Sequence, residues 1–473
     1  MSSTAHKGGD AQRERVLQLN KAMGGLELFA GAQRAVHPGQ NSTFRLSPDP
    51  LFVDKETVKA LDELGEVFYA FYASANQLYQ RSVRGSIPSF FHEYLDQGKP
   101  ERVLEYARLN RFRTDLPLVI RPDVLITDQG LAVTELDSVP GGMGLLAFLM
   151  QQYTKMGFEL VGGSDGIIRH FAAALRQLRP EVDDPFVVIT VSDESDDYRG
   201  EMVWLAQRLT ETGLRTQVCH PRELIFCDDG LLLGSERIDI LYRFFELFDL
   251  KNIPQIDLIL YAIRKEMVAV SPPLKSYLEE KLLFALLDHP VLSATWRQAL
   301  GEQDLASLQK VLPRTWIMDK RPLPPHAVIP HLTLSGSPVT DFRQLSRATQ
   351  RERQLVIKPS GFSPEAWGSR GVTIGHDVSS QEWEAIIDKA LGAFEQTPHI
   401  LQEFHKGRKL TVSYYDFEVG AIRRMHGRAR LCPYYYVVGG SPVLAGILAT
   451  VVPLNKKAIH GMTEAVMLPV AVS

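Results

Sequence analysis

Two short apolar runs joined by a tight turn are the feature that most restricts how this chain can fold. The runs are residues 124–127 and 131–134, and the turn between them is Asp-Gln-Gly. Runs of this length on either side of such a turn predict an antiparallel β-hairpin. Because the interior of both strands is apolar, we expect the hairpin to be buried.

Acidic residues stand at matching ends of the two predicted strands. Asp123 precedes the first run, and Glu135 and Asp137 follow the second. Glu135 and Asp137 share a face because they are two residues apart, and closure of the hairpin brings Asp123 beside them. Three adjacent carboxylates repel one another and need a compensating cation. Oxygen ligands suit Mg2+ together with nucleotide phosphates, so these three acids are predicted metal ligands.

Arg121 lies beside the acids and offers a planar, permanently charged group that can hold a phosphate or a carboxylate with two hydrogen bonds. The alternative for the whole cluster is a solvated strand edge with no ligand, since motif matches produce false positives. Acids that flank a buried hairpin nevertheless need partners.

A second cluster combines a short apolar strand, residues 354–359, with a loop rich in small residues. Backbone N–H groups in such a loop can approach phosphate oxygens, and basic side chains add charge. The spacing is neither that of a Walker loop nor that of a dinucleotide fold. A surface hairpin with a Gly-rich tip is the alternative. The predicted nucleotide-binding residues here are Lys358, Ser360, Gly361, Gly368, Ser369, Arg370 and Gly371.

The pattern after this loop is a strand, an amphipathic helix at 379–394 and a strand at 400–404 that ends in Gln402, Glu403 and Phe404. This succession resembles the nucleotide-binding lobe of the ATP-grasp fold. The resemblance implies that Lys358 meets the α- and β-phosphates and that backbone groups of residues 402–404 face the adenine. It also implies that Glu403 contacts the ribose or the adenine.

The acids precede this lobe, whereas in ordinary ATP-grasp enzymes they follow it. That order, with Arg-x-Asp and then Glu-x-Asp twelve residues on, resembles the circularly permuted ATP-grasp family that includes glutathionylspermidine synthase. Asp137 stands where the synthase pattern has Asn, which makes the predicted metal site more negative. The resemblance extends from about residue 116 to residue 473.

The fold class expected from this resemblance is α/β (α+β), a circularly permuted ATP-grasp fold. Residues 1–115 are predicted to form a helical N-terminal region, loosely structured up to about residue 45, with helices at 53–81 and 88–109. Residues 116–165 form the permuted metal-binding part of the core. Residues 166–290 alternate between helix and strand, which predicts a small parallel sheet in a domain that ends with a helix at 274–287. Residues 291–473 form the nucleotide-binding lobe and the C-terminal core strands.

A predicted strand at 425–438 places Arg428 and Arg430 on one face. Two arginines near a phosphate site could neutralise charge on a transferred phosphoryl group, so Arg430 joins Arg121 as a predicted catalytic residue. The alternative is a solvated edge strand.

Composition indicates the class of protein. The net charge is −4 with the two signs interspersed, so neither nucleic acid nor a membrane surface is an expected partner. Three irregularly spaced cysteines favour a reducing compartment, and the first residues lack the apolar core of a signal peptide, so we expect a cytoplasmic protein. Composition leaves the oligomeric state open.

The resemblance implies an ATP-dependent ligase that joins a carboxylate to an amine, with ATP and Mg2+ as cofactors and an acyl phosphate as intermediate. Its partners would be small-molecule or peptide substrates. Two alternatives use the same nucleotide site: an ATP-dependent phosphotransferase, and a nucleotide-binding regulatory protein without turnover.

Overall fold

The computed structural model describes residues 3–26, 28, 38–456, 459 and 464–473, without the side chains of residues 3–9 and 367–369. The helices are α1 (Ser3–Met23), α2 (Lys55–Val83), α3 (Phe90–Asp96), α4 (Glu101–Ala107), α5 (Met143–Lys155), α6 (Gly166–Arg176), α7 (Arg199–Glu211), α8 (Ile256–Arg264), α9 (Leu282–Leu287), α10 (Ser293–Val311) and α11 (Ser380–Gly392). No helix within those ranges has both the length and the apolar character needed to cross a membrane.

The strands up to the middle of the chain are β1 (Leu51–Val53), β2 (Val119–Thr127), β3 (Gly130–Asp137), β4 (Val187–Val191), β5 (Thr216–Cys219), β6 (Leu224–Cys227), β7 (Gly230–Leu233), β8 (Glu236–Arg237), β9 (Ile240–Phe244) and β10 (Ala269–Ser271). Those that follow are β11 (Thr315–Ile317), β12 (Thr333–Leu334), β13 (Ser337–Pro338), β14 (Leu355–Pro359), β15 (Thr373–Ile374), β16 (His399–Glu403), β17 (Lys409–Asp416), β18 (Ala421–Val438), β19 (Ser441–Pro453) and β20 (Val466–Val472). Parallel and antiparallel sheets occur together, so the protein belongs to the mixed α/β class.

The predicted hairpin is confirmed as β2 and β3, at one edge of a seven-stranded sheet of order β1-β20-β19-β18-β2-β3, with β17 also on β18. Asp123 lies opposite Glu135 and Arg121 lies opposite Asp137, and the register shifts just after Asp123. Because β2 pairs with β18, the hairpin lies beside a strand from the far end of the chain, which carries Arg430 opposite Leu125.

Three consecutive tyrosines of β18 show how this sheet is buried on both faces. Tyr434 and Tyr436 pack into one apolar core with α5 and α6, and Tyr435 packs into another with α2. Successive side chains of a strand point to opposite faces, so the run of tyrosines serves both cores. β18 is therefore an interior strand, and the alternative of a solvated edge strand is wrong.

The predicted parallel sheet is confirmed, with the strand order β10-β9-β4-β5. The chain passes from β4 to β5 through α7 and then crosses to the other side of β4 to form β9. The strand order therefore reverses between β4 and β9.

The predicted strand, loop, strand, helix and strand of residues 354–404 are also confirmed. β11, β16, β14 and β15 form an antiparallel sheet, and α11 packs on it through Trp383 and Ile387. Ser379 caps α11 by accepting from the backbone N–H of Glu382, whose carboxylate accepts from the Ser379 N–H.

Three local predictions are wrong. The predicted helix at 88–109 is split into α3 and α4, because Gly98, with a positive φ, and Pro100 lie between them. The first residues are not all loosely structured, because α1 forms and buries Val16, Leu19 and Met23; packing of one face stabilises a helix whose glycines and polar residues disfavour it. The part of the prediction at residues 27 and 29–37 lies outside the described residues. The predicted helix at 274–287 is broken into a short turn, Ser276–Glu279, and α9. The residues at the break, Glu280 and Lys281, make tertiary contacts instead.

Candidate active site

A cavity of ≈ 390 Å3 lies between the antiparallel lobe and the seven-stranded sheet. Predicted site residues from three distant parts of the chain converge on it. The lining includes Asp123 and Glu135 of the hairpin, Lys358 of β14, Gln402, Glu403 and Phe404 at the end of β16, and Arg428 and Arg430 of β18. Its size is typical of a pocket for a small ligand.

Lys358 is the buried cation of this cavity, with 7% of its surface exposed. Its Nζ donates to Gln402 Oε1 at 2.9 Å and to the Thr134 carbonyl at 3.0 Å. Burial, with a smaller effect from Lys281, lowers the pKa of Lys358 to about 8. An ammonium group has three N–H donors, and the two contacts leave one for an anionic oxygen.

Gln402 holds this lysine in place. Its Nε2 donates to Thr315 Oγ1 at 3.1 Å, which turns Oε1 toward Lys358. The backbone N–H groups of Glu403 and Phe404 donate to the carbonyls of Arg314 and Gln354. These two N–H groups are therefore used within the protein and are not free for adenine.

The structure supplies the cations that the acids require. Asp123 lies between Arg430, at 2.7 Å, and Arg121, at 3.3 Å, and it accepts from Cys432 Sγ at 3.4 Å. Burial would raise the pKa of Asp123, but the two arginines hold it below its ordinary value. The Asp123 carboxyl is therefore ionised, and its charge is balanced by arginines from two strands.

Glu135 and Asp137 each have a different partner. Glu135 Oε1 lies 2.7 Å from Lys281 Nζ, and this contact outweighs burial and lowers the pKa of Glu135. Asp137 accepts from Arg121 at 2.9 Å and from the Val139 N–H at 2.8 Å, yet burial raises its pKa.

The Mg2+ assignment stays a prediction. Within the described ranges, no group of three or more His, Cys, Asp or Glu side chains is placed to hold a metal ion. Asp123 and Glu135 both line the cavity, and two carboxylates with nucleotide phosphates suit Mg2+. Asp137 does not line the cavity, so these two acids fit a nucleotide-borne Mg2+ better than the predicted set of three.

The donors at the start of the Gly-rich loop contact protein groups in this structure. Ser360 Oγ donates to Glu280 Oε1 at 2.6 Å, and the Gly361 N–H donates to Glu280 Oε2 at 3.2 Å. Glu280 in turn pairs with Lys99 at 2.5 Å. Neither Ser360 nor Gly361 lines the cavity in this structure, so their contact with phosphate stays a prediction.

Farther along the same loop, Arg370 Nη1 contacts Glu194 Oε1 at 3.1 Å, and the Gly371 N–H donates to the Glu365 carbonyl at 2.8 Å. Neither residue lines the cavity. Gly368 and Ser369 belong to the short turn Pro364–Ser369. Their side chains are not among those that the structure describes. The assignment of these four residues to nucleotide binding also stays a prediction.

Sequence reasoning missed Glu280 and Lys281. Both stand in an apolar run that predicts one continuous helix, where charged residues are expected to face solvent. The signal in the sequence was this pair of charged residues in the middle of an apolar run, because charged residues at such a position need buried partners. The structure uses Glu280 to anchor the Gly-rich loop and Lys281 to neutralise Glu135.

The chain is similar in fold to a glutathione synthetase-like effector from Globodera pallida. The two structures share 10% sequence identity, with a TM-score of 0.57 over 98% of this chain and 97% of the other. A structure proposed to be a gamma-glutamylcysteine synthetase from Methylobacillus flagellatus KT matches with a TM-score of 0.41 and 11% identity, over 83% and 86% of the two chains. The second likeness is too weak to carry an argument.

The sequence matches no protein-family model. No curated protein matches it at a significant level either. The likeness to the effector therefore concerns the fold, and the circular permutation stays a prediction.

Proposed function

We propose that this protein is an ATP-dependent ligase that joins a carboxylate to an amine. The observation that carries the proposal is the convergence of Lys358, Asp123, Glu135 and Arg430 on one cavity between two sheets. The fold shared with a glutathione synthetase-like effector supports it. ATP is the proposed nucleotide and Mg2+ the proposed metal.

Three features of the cavity suit a nucleotide. Lys358 has a donor available for a phosphate oxygen. The buried Nε atoms of Arg428 and Arg430 have no hydrogen-bond partner among the described residues, so each can donate to an anion. The Phe404 ring, 4.7 Å from that of His376, adds an aromatic wall beside the strand end.

In the proposed reaction, a substrate carboxylate oxygen attacks the γ-phosphorus, and the bond to the β,γ-bridging oxygen breaks to release ADP. Arg430 and Lys358 would neutralise the charge on the transferred group. Mg2+ held by Asp123 and Glu135 would supply further neutralisation of the phosphate oxygens.

The amine nitrogen would then attack the acyl carbon, lose a proton and displace inorganic phosphate. Arg121 would orient the carboxylate through its buried Nε–H, which has no partner among the described residues. The loop that follows β14 would exclude water from the acyl phosphate, because its Arg370 already contacts Glu194 of the parallel-sheet region.

The test is incubation with ATP, Mg2+ and pools of carboxylates and amines, with measurement of phosphate release and of new product masses. A product whose mass equals that of the carboxylate plus that of the amine minus one water supports a ligase. A phosphorylated product without an amide indicates the phosphotransferase instead. Absence of ATP binding by calorimetry overturns both.

Arg121→Lys sharpens this test. Lysine keeps the charge but cannot hold two oxygens with a planar group, so amide formation should fall at least about tenfold while ATP affinity changes little. The matched control is Arg343→Lys, which alters an exposed arginine paired with Asp341. Unchanged amide formation in Arg121→Lys would limit Arg121 to bracing Asp123 and Asp137.

A further inference from the structure

A second cavity lies along the free edge of strand β11. This strand pairs with β16 on one side and with no other strand of the described residues. The cavity has a volume of ≈ 440 Å3, and every residue of β11 lines it. None of the described residues that line the cavity around Lys358 lines this one. It is therefore a separate site.

The register of β11 on β16 determines which backbone groups face this cavity. The Glu403 N–H donates to the Arg314 carbonyl at 2.9 Å, which makes these two residues a hydrogen-bonded pair. Hydrogen-bonded and non-bonded pairs alternate along an antiparallel ladder. Thr315 and Ile317 therefore occupy non-bonded positions, and their backbone groups point away from β16 toward the free edge.

Most of these outward backbone groups are unpaired. The Ile317 carbonyl accepts from the Asp319 N–H at 2.9 Å. The N–H groups of Thr315 and Ile317 and the Thr315 carbonyl have no hydrogen-bond partner among the described residues. Thr315 is only 2% exposed, and buried backbone groups are nearly always paired. The edge thus offers a donor, an acceptor and a second donor to a ligand.

Two indole groups hold the walls of the cavity in place. Trp296 Nε1 donates to the Leu286 carbonyl and Trp316 Nε1 donates to the Pro330 carbonyl, both at 2.8 Å. Apolar residues from both of these segments line the cavity: Ala285, Leu286, Pro290, Ile329, Pro330 and Phe342. Apolar walls with a few fixed polar groups are typical of a preformed ligand site.

The charged side chains around the cavity balance one another. Asp319 is paired with Arg321. Asp288 and Arg314 form no ion pair among the described residues, although Arg314 opposes the rise in the pKa of Asp288 that burial causes. Two unpaired groups of opposite charge suit an uncharged amide, which can accept from a guanidinium and donate to a carboxylate. The acidic and basic lining residues are equal in number: Asp288, Asp319 and Asp341, and Arg314, Lys320 and Arg321.

We propose that the free edge of β11 binds a short, uncharged, extended peptide segment as an added antiparallel strand. A ligand residue opposite Thr315 would exchange two hydrogen bonds with it, and a ligand residue opposite Ile317 would accept one. These two ligand residues are two positions apart, so a segment of three residues, about 10 Å long, uses every free group of the edge. The inference does not depend on the proposed ligase function.

The test measures binding of the blocked tripeptide acetyl-Val-Ala-Val-amide to the full chain by saturation-transfer NMR. N-methylation of both valines changes the amide groups that face β11 and should lower the affinity at least about tenfold. N-methylation of the alanine changes an amide that points away from β11, so the affinity should change by less than about twofold. Absence of saturable binding by the unmodified peptide, or an equal effect of the two methylation patterns, would overturn the peptide site.

Ile317→Pro tests the edge from the side of the protein. Proline removes the outward N–H, which makes no bond to β16, so the ladder is kept and peptide affinity should fall about fivefold. Ile317→Val keeps this N–H and is the matched control, which should bind the peptide like the wild type. Circular dichroism shows whether both variants fold. If they fold and bind the peptide equally, the proposal is wrong, and if Ile317→Pro does not fold, the methylated peptides decide the question on the wild type.

Discussion

Lys281 Nζ lies 2.7 Å from Glu135 Oε1. This ion pair links the segment between the turn Ser276–Glu279 and α9 to the acidic β2–β3 hairpin. Burial alone would lower the pKa of Lys281, but Glu135 raises it above its ordinary value. Both groups are therefore charged, and Glu135 is the member of the pair that lines the cavity proposed to bind the nucleotide. Any cation that binds Glu135 has to share it with this lysine.

Replacement of Lys281 tests this relationship. Lys281→Met should lower the free energy of unfolding by about 2 kcal/mol, between the values for exposed and fully buried pairs, because it leaves Glu135 without its cation. Urea denaturation measures the change. Lys310→Met, at an exposed position of α10, is the control and should change stability by less than about 0.5 kcal/mol. Equal stability in the two variants would contradict the prediction.

Glu135→Gln should abolish Mg2+-dependent nucleotide turnover while the protein stays folded. The amide keeps the size of the side chain but loses the charge that a metal and Lys281 require. Phosphate release at several Mg2+ concentrations measures turnover, and circular dichroism measures the fold. Glu403→Gln, which changes another acidic residue that lines the cavity, is the comparison and should retain turnover even if nucleotide affinity changes. Wild-type turnover in Glu135→Gln would rule out the metal assignment.

The lowered pKa of Lys358, about 8, predicts a pH dependence of ATP affinity. The lysine is charged below this pH and neutral above it, and only the charged form attracts phosphate. Affinity should therefore be full below pH 8 and fall as the pH rises through 8 to 9, by up to about tenfold per pH unit. Calorimetry across this range measures it. Lys358→Arg should show no such fall, since a guanidinium stays charged.

Ser360→Ala separates the predicted role of this residue from the observed one. If Ser360 only donates to Glu280, the variant should lose about 1 to 2 kcal/mol of stability and bind ATP like the wild type. If the loop moves and Ser360 reaches phosphate, ATP affinity should also fall. Thermal unfolding and calorimetry on one preparation distinguish the two outcomes.

Local patterns in the sequence determined the secondary structure around the site. Two apolar runs and the turn between them predicted the β2–β3 hairpin, and the helical period of residues 379–394 predicted α11. These signals depend on neighbours a few residues apart, so they can be read from the sequence alone. Local patterns also predict Asp123, Glu135 and Lys358 as site residues, and all three line one cavity.

Contacts between distant parts of the chain decided the rest. The pairing of β18 with β2 places Arg430 on Asp123, 307 positions apart in the chain. The break at Glu280 and Lys281 is stabilised by Ser360 and Glu135, which a local pattern cannot show. The sequence pattern assigns Lys281 to a solvated helix face and Ser360 to a phosphate-binding loop. In the folded protein each contacts an acidic residue that is distant in the chain. The sequence determined which chemical groups are available, and the tertiary structure decided which of them neutralise each other and which remain free for a ligand.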